Sequence, residues 1–364
     1  MRNMNVSSLA AERAALRLTL IAVCFLTACA MASTPAPGPT PPSATPAAAT
    51  AAMAPAAPTA TAVSQALPTV APTTDVAGAA PSPLASTATP PAKGTPSHIL
   101  LIVMENKEYP QIIGSPDAPY VNGLAAHYLL AERSYAVAHP SLPNYLALLG
   151  GDTFGVTSDC TGCHVSAVNI VDQLERAGIS WGAYLEDLPR PCFGGAGAGG
   201  YAKKHNPFAY YDDIAGSPAR CGKLVGFARL AGGLRSGRLP TYVWISPNLC
   251  DDGHDCGVAT GDRFLARTVP ALLHELGPHG FLVITWDEGG SDRGCCGTAQ
   301  GGHIATILAG PDVLSGARER GPVDHYGVLA TIEEALGLPR LASANDPLAG
   351  RLTPLFRRPP RLVP

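Results

Sequence analysis

The sequence predicts an α/β domain with a mostly parallel central sheet and helices on both faces, preceded by a long unstructured leader. Three observations lead there. Short, continuously apolar runs recur along the C-terminal three quarters of the chain, each long enough for a strand buried on both faces. Helical patterns alternate with them. Residues 30–96 show neither pattern.

The leader comes first. Arg2, Arg13 and Arg17 precede the apolar run LTLIAVCFLTA, which is too short for a comfortable membrane span and reads as an export signal. It ends in LTAC, Leu26 to Cys29, a small-residue approach to a cysteine that resembles the bacterial lipobox. Residues 1–29 are therefore expected to be a signal peptide with Cys29 as a lipidated mature N-terminus; plain signal cleavage with secretion is the alternative. Residues 30–96 are Ala, Pro, Thr and Ser with almost no charge. Such a segment cannot bury enough apolar surface to offset chain entropy and is expected to be an extended tether. The folded domain is expected over 97–364, exported and held at the cell surface or the periplasmic side of the membrane.

Within that domain SHILLIVM (97–104), PTYVWIS (240–246), FLVITW (281–286) and HIATILAG (303–310) read as strands. SAVNIVDQLERAG (166–178), GDRFLARTVPALLHEL (261–276) and VDHYGVLATIEEALG (323–337) read as helices. The last opens on Asp324, a good N-cap, and closes at Gly337. Two of the ten cysteines, Cys24 and Cys29, lie in the leader, and the remaining eight form an even set. In an exported chain this argues for disulfides, so CTGC at 160–163 is expected to be a structural bridge rather than a redox or zinc motif. Connectivity stays open, with nearest-neighbour pairing as the simplest guess. A formal charge of −3 from 25 basic and 28 acidic residues offers no basic face for nucleic acid.

Polar residues fall where the strands end. Glu105 and Asn106 follow the first strand, Asp287 and Glu288 follow FLVITW, and Asn248 and Asp251 follow YVWIS. In open α/β sheets, ligands bind beyond the carboxyl ends of the strands. Oxygen donors gathered there suit a divalent metal ion, one or two in number, and His205, His254 and His303 offer nitrogen ligands or phosphate contacts. Ser141, in AHPSLPNYLALLGG, stands at the head of a helix. It is expected to serve as N-cap and, with a metal favouring its alkoxide, as a nucleophile toward phosphorus. The Gly-rich stretch CFGGAGAGGYAKKH (192–205) reads as a mobile loop near the site, with Lys203 and Lys204 attracting anionic substrate.

Seven blocks, HILLIVMENKEY, HPSLPNYLALLGG, WGAYLED, KHNPFAYY, WISPNLCDDGHD, TWDEGG and GGHIATILAGP, together resemble the bacterial phosphoesterase family of the alkaline phosphatase superfamily, over nearly all of 97–345. That family includes acid phosphatases, phospholipases C and phosphatidylinositol-phosphate phosphatases. The resemblance implies an alkaline phosphatase-like fold with Glu105, Asn106, Asp287 and Glu288 as metal ligands and Ser141 as nucleophile. It places His205 and His254 among the catalytic groups, and Asn144, Asp251 and His303 along the substrate. It also implies hydrolysis of phosphate monoesters through a phosphoserine, on a small-molecule or phospholipid substrate. Phospholipase C members tend to carry threonine at the nucleophile and further C-terminal domains. Serine here, with the sequence ending soon after the last helix, favours the phosphatase over a phospholipase C or other phosphodiesterase. Tyr145 occupies the arginine position of the sulfatase C/S-x-P-x-R pattern, so conversion of Ser141 to formylglycine is not expected. A non-catalytic surface-binding lipoprotein on a decayed scaffold is disfavoured, because the ligand and nucleophile positions all hold competent residues.

Overall fold

The computed structural model describes residues 97–358; the expected signal peptide, Cys29 and the tether over 30–96 lie outside them. The strands are β1 (Ile99–Met104), β2 (Leu129–Tyr135), β3 (Trp181–Leu185), β4 (Gly197–Ala198), β5 (Tyr201–Ala202), β6 (Leu224–Val225), β7 (Tyr242–Ser246), β8 (Phe281–Trp286), β9 (His303–Ala309), β10 (Arg318–Glu319) and β11 (Val323–Asp324). The helices are α1 (Tyr109–Ile112), α2 (Pro119–His127), α3 (Ser141–Gly150), α4 (Ile170–Arg176), α5 (Asp212–Ala215), α6 (Pro218–Cys221), α7 (Phe227–Ser236), α8 (Val258–His274) and α9 (His325–Ala335).

The main sheet runs in the order β10-β2-β9-β8-β1-β7-β3-β6, with β11 also on β2, while β4 and β5 form a separate hairpin. β1 pairs in parallel with β7 and β8, and β3 in parallel with β7 and β6. Only β9 is antiparallel to its neighbours β8 and β2, so the expected mostly parallel sheet is present, with HIATILAG as its reversed member. All six residues of β1 are buried, as a continuous apolar run requires when both faces are covered. Ile99, Leu101 and Val103 face a core shared with α3, α4 and α9; Leu100, Ile102 and Met104 face one shared with α2, α7 and α8.

Of the strands five residues or longer, two were not foreseen. LLAERSY (β2) carries Glu132 and Arg133, which break its apolar run, and WGAYL (β3) is only five residues long. Expected helix starts shift by a few residues. α4 begins at Ile170 because Asn169 accepts from Val171 N at 2.9 Å while Asp172 returns a bond to Asn169 N at 3.2 Å, a reciprocal capping box. α9 starts where the N-cap signal placed it, with Asp324 accepting from Gly327 N at 3.0 Å. The eight domain cysteines pair in sequence order: Cys160–Cys163, Cys192–Cys221, Cys250–Cys256 and Cys295–Cys296.

Candidate active site

Register builds the floor of the site. Met104 on β1 lies opposite Trp286 on β8, so the next residues, Glu105 and Asp287, leave the sheet side by side. The β7–α8 loop joins them, since Glu105 N donates to Asp252 O at 3.0 Å. Asn106 turns the chain away with φ 52°, and its backbone N–H donates to Asp287 Oδ1 at 2.9 Å. The Asp287–Glu288 turn is held against β9 by paired glycines: a Cβ on Gly302 (φ 99°) would stand 2.6 Å from the Cα of Gly289. Glu108 clamps the same turn, accepting from Gly290 N and Ser291 Oγ, each at 2.8 Å.

Four carboxyl groups, those of Glu105, Asp252, Asp287 and Glu288, are thus buried in one place. Burial, then the charges of Asp287 and Asp252, push Glu105 well above the usual carboxylate range. Burial and Glu288 push Asp287 up to about 6, and burial carries Asp252 to about 7. Burial also raises Glu288, against the opposing pull of His139, which contacts Glu288 Oε2 through Nδ1.

Ser141 reaches this floor from α3, whose ten residues are all buried, so its axis is fixed on every side. The hydroxyl, fully buried, donates toward Glu105 Oε2 at 3.2 Å and Glu288 Oε1 at 3.4 Å. The expected capping role is not found: Pro140 is the N-cap residue and offers no side-chain bond, Ser141 is the first helical residue, and the free amide of Leu142 is met by Asp159 instead. One turn on, Tyr145 donates to Glu105 Oε1 at 2.6 Å and stacks on His205, with ring centroids 5.3 Å apart.

His205 is buried beside the carboxyl groups. Its Nε2 lies 3.2 Å from Glu105 Oε1 and its Nδ1 3.1 Å from Asp252 Oδ2, but neither contact is aligned as a hydrogen bond. Burial lowers its pKa to about 3, which keeps the imidazole neutral and its lone pair available. His254 is half-buried at the mouth, with Nδ1 2.6 Å from Asp255 Oδ1 and Nε2 3.1 Å from Lys204 Nζ. Lys204 also donates to Asp159 Oδ2 at 3.0 Å, and Asp159 Oδ1 accepts from Leu142 N at 3.0 Å.

Of the sequence-derived candidates, Glu105, Asn106, Ser141, His205, His254, Asp287 and Glu288 come together. Three others are placed differently. Asn144 spends its whole side chain on the backbone that aims Ser141: Oδ1 accepts from Val137 N and Ala138 N, and Nδ2 donates to Ala138 O and Pro140 O. With both donors and both lone pairs used, it has nothing left for substrate. Asp251 points away toward Arg267 at 3.4 Å, and its neighbour Asp252 is the buried acid of that loop. His303 is stacked between Tyr109 (4.4 Å) and Tyr135 (5.1 Å) with Nε2 bonded to Glu132 O, outside the cluster. The Gly-rich stretch folds into the β4–β5 hairpin. Of its two lysines Lys203 is buried, donating to Thr161 O at 2.7 Å, so only Lys204 faces the site.

Tyr145, Asp252, His139 and Asp159 were missed. Tyr145 had a readable signal, since residues i and i+4 share a helix face with Ser141. The others lie in loops where spacing carries no such information.

The residues fit a divalent cation. Asp287 Oδ2, Asp252 Oδ2 and both ring nitrogens of His205 are buried polar atoms without hydrogen bonds, and several carboxyl groups converge with few cations to balance them. Donor atoms of Glu105, His205 and His254 all fall within 4.8 Å of one another. A mixed oxygen and nitrogen donor set of this kind suits a hard or borderline metal.

The sequence matches the Phosphoesterase family over residues 115–339. It is 34% identical over 253 residues to a phosphatidylinositol-3-phosphatase of Mycobacterium tuberculosis, covering 69% of this chain and 80% of that protein. It is 30% identical over 251 residues to an acid phosphatase of Aspergillus fumigatus, covering 65% of this chain and 54% of that one, so it spans about half the length of this fungal relative. Among solved structures, the lipoteichoic acid synthase LtaP of Listeria monocytogenes aligns with a TM-score of 0.50 at 9% identity, over 70% of this chain and 76% of that one. That likeness concerns the fold alone. A protein in the alkaline phosphatase superfamily from Vibrio parahaemolyticus aligns with a TM-score of 0.48 at 12% identity, over 70% and 69% of the two chains.

Proposed function

The chain belongs to the phosphoesterase family and is a phosphoric ester hydrolase, and from that premise we propose that it is a metal-dependent extracytoplasmic phosphatase acting on phosphate monoesters through a phosphoserine. The observation that carries the reading is the placement of Ser141 Oγ, buried at the head of α3 between Glu105 and Glu288. Glu105, Asn106, Asp287 and Glu288 would hold the cation, with His205 as the nearest nitrogen donor. Once bound, a divalent ion polarises phosphoryl oxygens and favours the serine alkoxide.

The protein's own groups supply the rest. Asn144 fixes the bend before Ser141, so the hydroxyl is presented in one orientation. In the first step Oγ bonds to phosphorus as the ester P–O bond breaks, and the serine proton passes to a neighbouring carboxylate. The leaving oxygen emerges toward the half-buried mouth beside His254 and takes its proton from solvent there. In the second step water attacks the phosphoserine, releasing phosphate and restoring the hydroxyl.

Four disulfides support an oxidising compartment. A membrane anchor at Cys29 would bring the domain to lipid, and the name of the mycobacterial relative favours a phosphorylated inositol headgroup as one substrate to test. A phospholipase C or other phosphodiesterase is the competing reading. Rates on p-nitrophenyl phosphate, its bis-ester, phosphatidylcholine and phosphatidylinositol 3-phosphate at defined divalent metal separate the two. Monoester preference is expected, and preference for a diester would overturn the proposal.

A further inference from the structure

We propose that Lys204 selects phosphate monoesters over diesters by offering its free ammonium N–H to an oxygen that only a monoester leaves bare, and that Asp159 is the positioning residue that aims it. This rests on the phosphatase reading above and deepens it.

The two adjacent lysines have different fates. The Lys203 ammonium is buried, bonded to Thr161 O and set 4.3 Å over the ring of Tyr210, so it is fully engaged in packing. The Lys204 side chain keeps 22% of its surface exposed and contacts Asp159 Oδ2 and His254 Nε2. An ammonium has three donors. Two are accounted for, and the third has no protein partner among the described residues.

Asp159 ties this ammonium to the nucleophile. One carboxylate oxygen accepts from Lys204 and the other from the amide of Leu142, the residue after Ser141. A single carboxylate therefore spans the gap between the cation and the start of α3. Its own position is fixed by the loop that follows it: the next residue, Cys160, is bridged to Cys163, and Thr161 within that loop is held by Lys203. The CTGC motif, which no step of the hydrolysis uses, thereby acquires a role in placing Asp159.

A monoester dianion presents three unesterified oxygens, a diester only two and one charge fewer. A site whose donor expects a bare oxygen discriminates strongly against a ligand that covers it, because the donor is then left unpaired next to an ester carbon. At the mouth of this site that donor is Lys204.

The test uses the full chain with Lys204→Met and Asp159→Asn. Rates on p-nitrophenyl phosphate and its bis-ester would be measured at fixed divalent metal, together with the melting-temperature rise produced by inorganic phosphate, a readout independent of turnover. Loss of a charge-assisted contact predicts a fall of about a hundredfold in monoester kcat/KM for Lys204→Met, a change of about threefold or less for the diester, and loss of the phosphate-induced stabilisation. Asp159→Asn should shift the same ratio by roughly tenfold, mainly through KM, since it displaces the donor without removing it. Equal losses on both esters, or an unchanged response to phosphate in Lys204→Met, would overturn the inference. A wild-type enzyme without monoester preference would instead sink the functional reading beneath it.

Discussion

Replacing Ser141 with alanine separates a structural serine from a chemical one. The hydroxyl is buried, and its two contacts are long, 3.2 Å to Glu105 and 3.4 Å to Glu288. Both carboxyl groups keep a shorter partner on their other oxygen, Tyr145 on Glu105 Oε1 and His139 on Glu288 Oε2. A net hydrogen bond is worth about 1 kcal/mol, and at these lengths less. The cap term of roughly 1 kcal/mol that a helix-initial serine would ordinarily supply is absent, because Pro140 is the N-cap residue. Ser141→Ala should therefore change stability by no more than about 1 kcal/mol, a melting shift of about 2–4 °C for a domain of this size. Turnover should fall by about 10⁴-fold or more, the scale seen when a covalent nucleophile is removed. Differential scanning fluorimetry and p-nitrophenyl phosphate hydrolysis, run on the same metal-loaded samples, read both quantities. In the wild-type protein, acid quenching during turnover followed by peptide mass spectrometry should find one phosphoryl group on the peptide containing Ser141. Activity within tenfold of wild type would refute the nucleophile assignment; a large loss of melting temperature would show that the serine serves the fold.

Three further outcomes follow from the geometry. Asp252→Asn should lower kcat/KM by about 10–100-fold, the usual effect of removing a carboxylate behind a ligating histidine, while Asp251→Asn should stay within about twofold; equal effects would undo the distinction between the two acids. Chelation with EDTA should abolish hydrolysis and lower the melting temperature by about 5–10 °C, as expected when a ligand at about a hundred times its Kd is withdrawn, and a divalent ion should restore both. Glu333 on α9 is buried, with Oε1 accepting from Leu341 N at 3.0 Å and Oε2 unpartnered, and burial raises its pKa to about 8. Because the folded state keeps a proton that the unfolded chain releases near pH 4.5, this group's contribution is complete below that pH and is lost as pH rises through about 8. Glu333→Gln should flatten that part of the stability profile, with a gain of a few kcal/mol above pH 8 at about 1.4 kcal/mol per pKa unit; an unchanged slope of melting temperature against pH would contradict it.

How much was legible in the sequence depended on whether strand geometry or loop geometry decides a residue's position. Glu105 and Asp287 could be read because each ends an apolar run, and a run buried on both faces has a definite carboxyl end. Asp251 and Asp252 could not be told apart, since both follow the same strand in a loop without periodicity. Only the bond from Glu105 N to Asp252 O decides which one turns inward. His303 misled for a related reason. It opens β9, and because β9 is reversed its first residue stands at the edge where its neighbours end, paired with Tyr135 at the end of β2. Proximity to that edge was correctly inferred, but the stacking of Tyr109 and Tyr135 on the ring, which withdraws it from the cluster, depends on side chains distant in sequence. Ser141 was legible as a helix-initial residue, and its capping role failed because prolines flanking it moved the N-cap back by one.

The site is also a stability problem that the rest of the fold is arranged to carry. Four buried carboxyl groups with raised pKa values oppose folding wherever they must ionise together. Tolerating them requires a scaffold in which their approach cannot relax, and that scaffold is apolar. The pairs Leu100 with Leu282 and Ile102 with Ile284 lock β1 against β8, and a slip of one residue would send every side chain of either strand to the wrong face. The same register sets Glu105 beside Asp287. Helix α3, buried along its whole length, holds Ser141 against them from the other side. The repulsion that a cation would relieve is therefore built by hydrophobic packing, so affinity for such an ion would be a consequence of strand register rather than of a flexible loop closing around it.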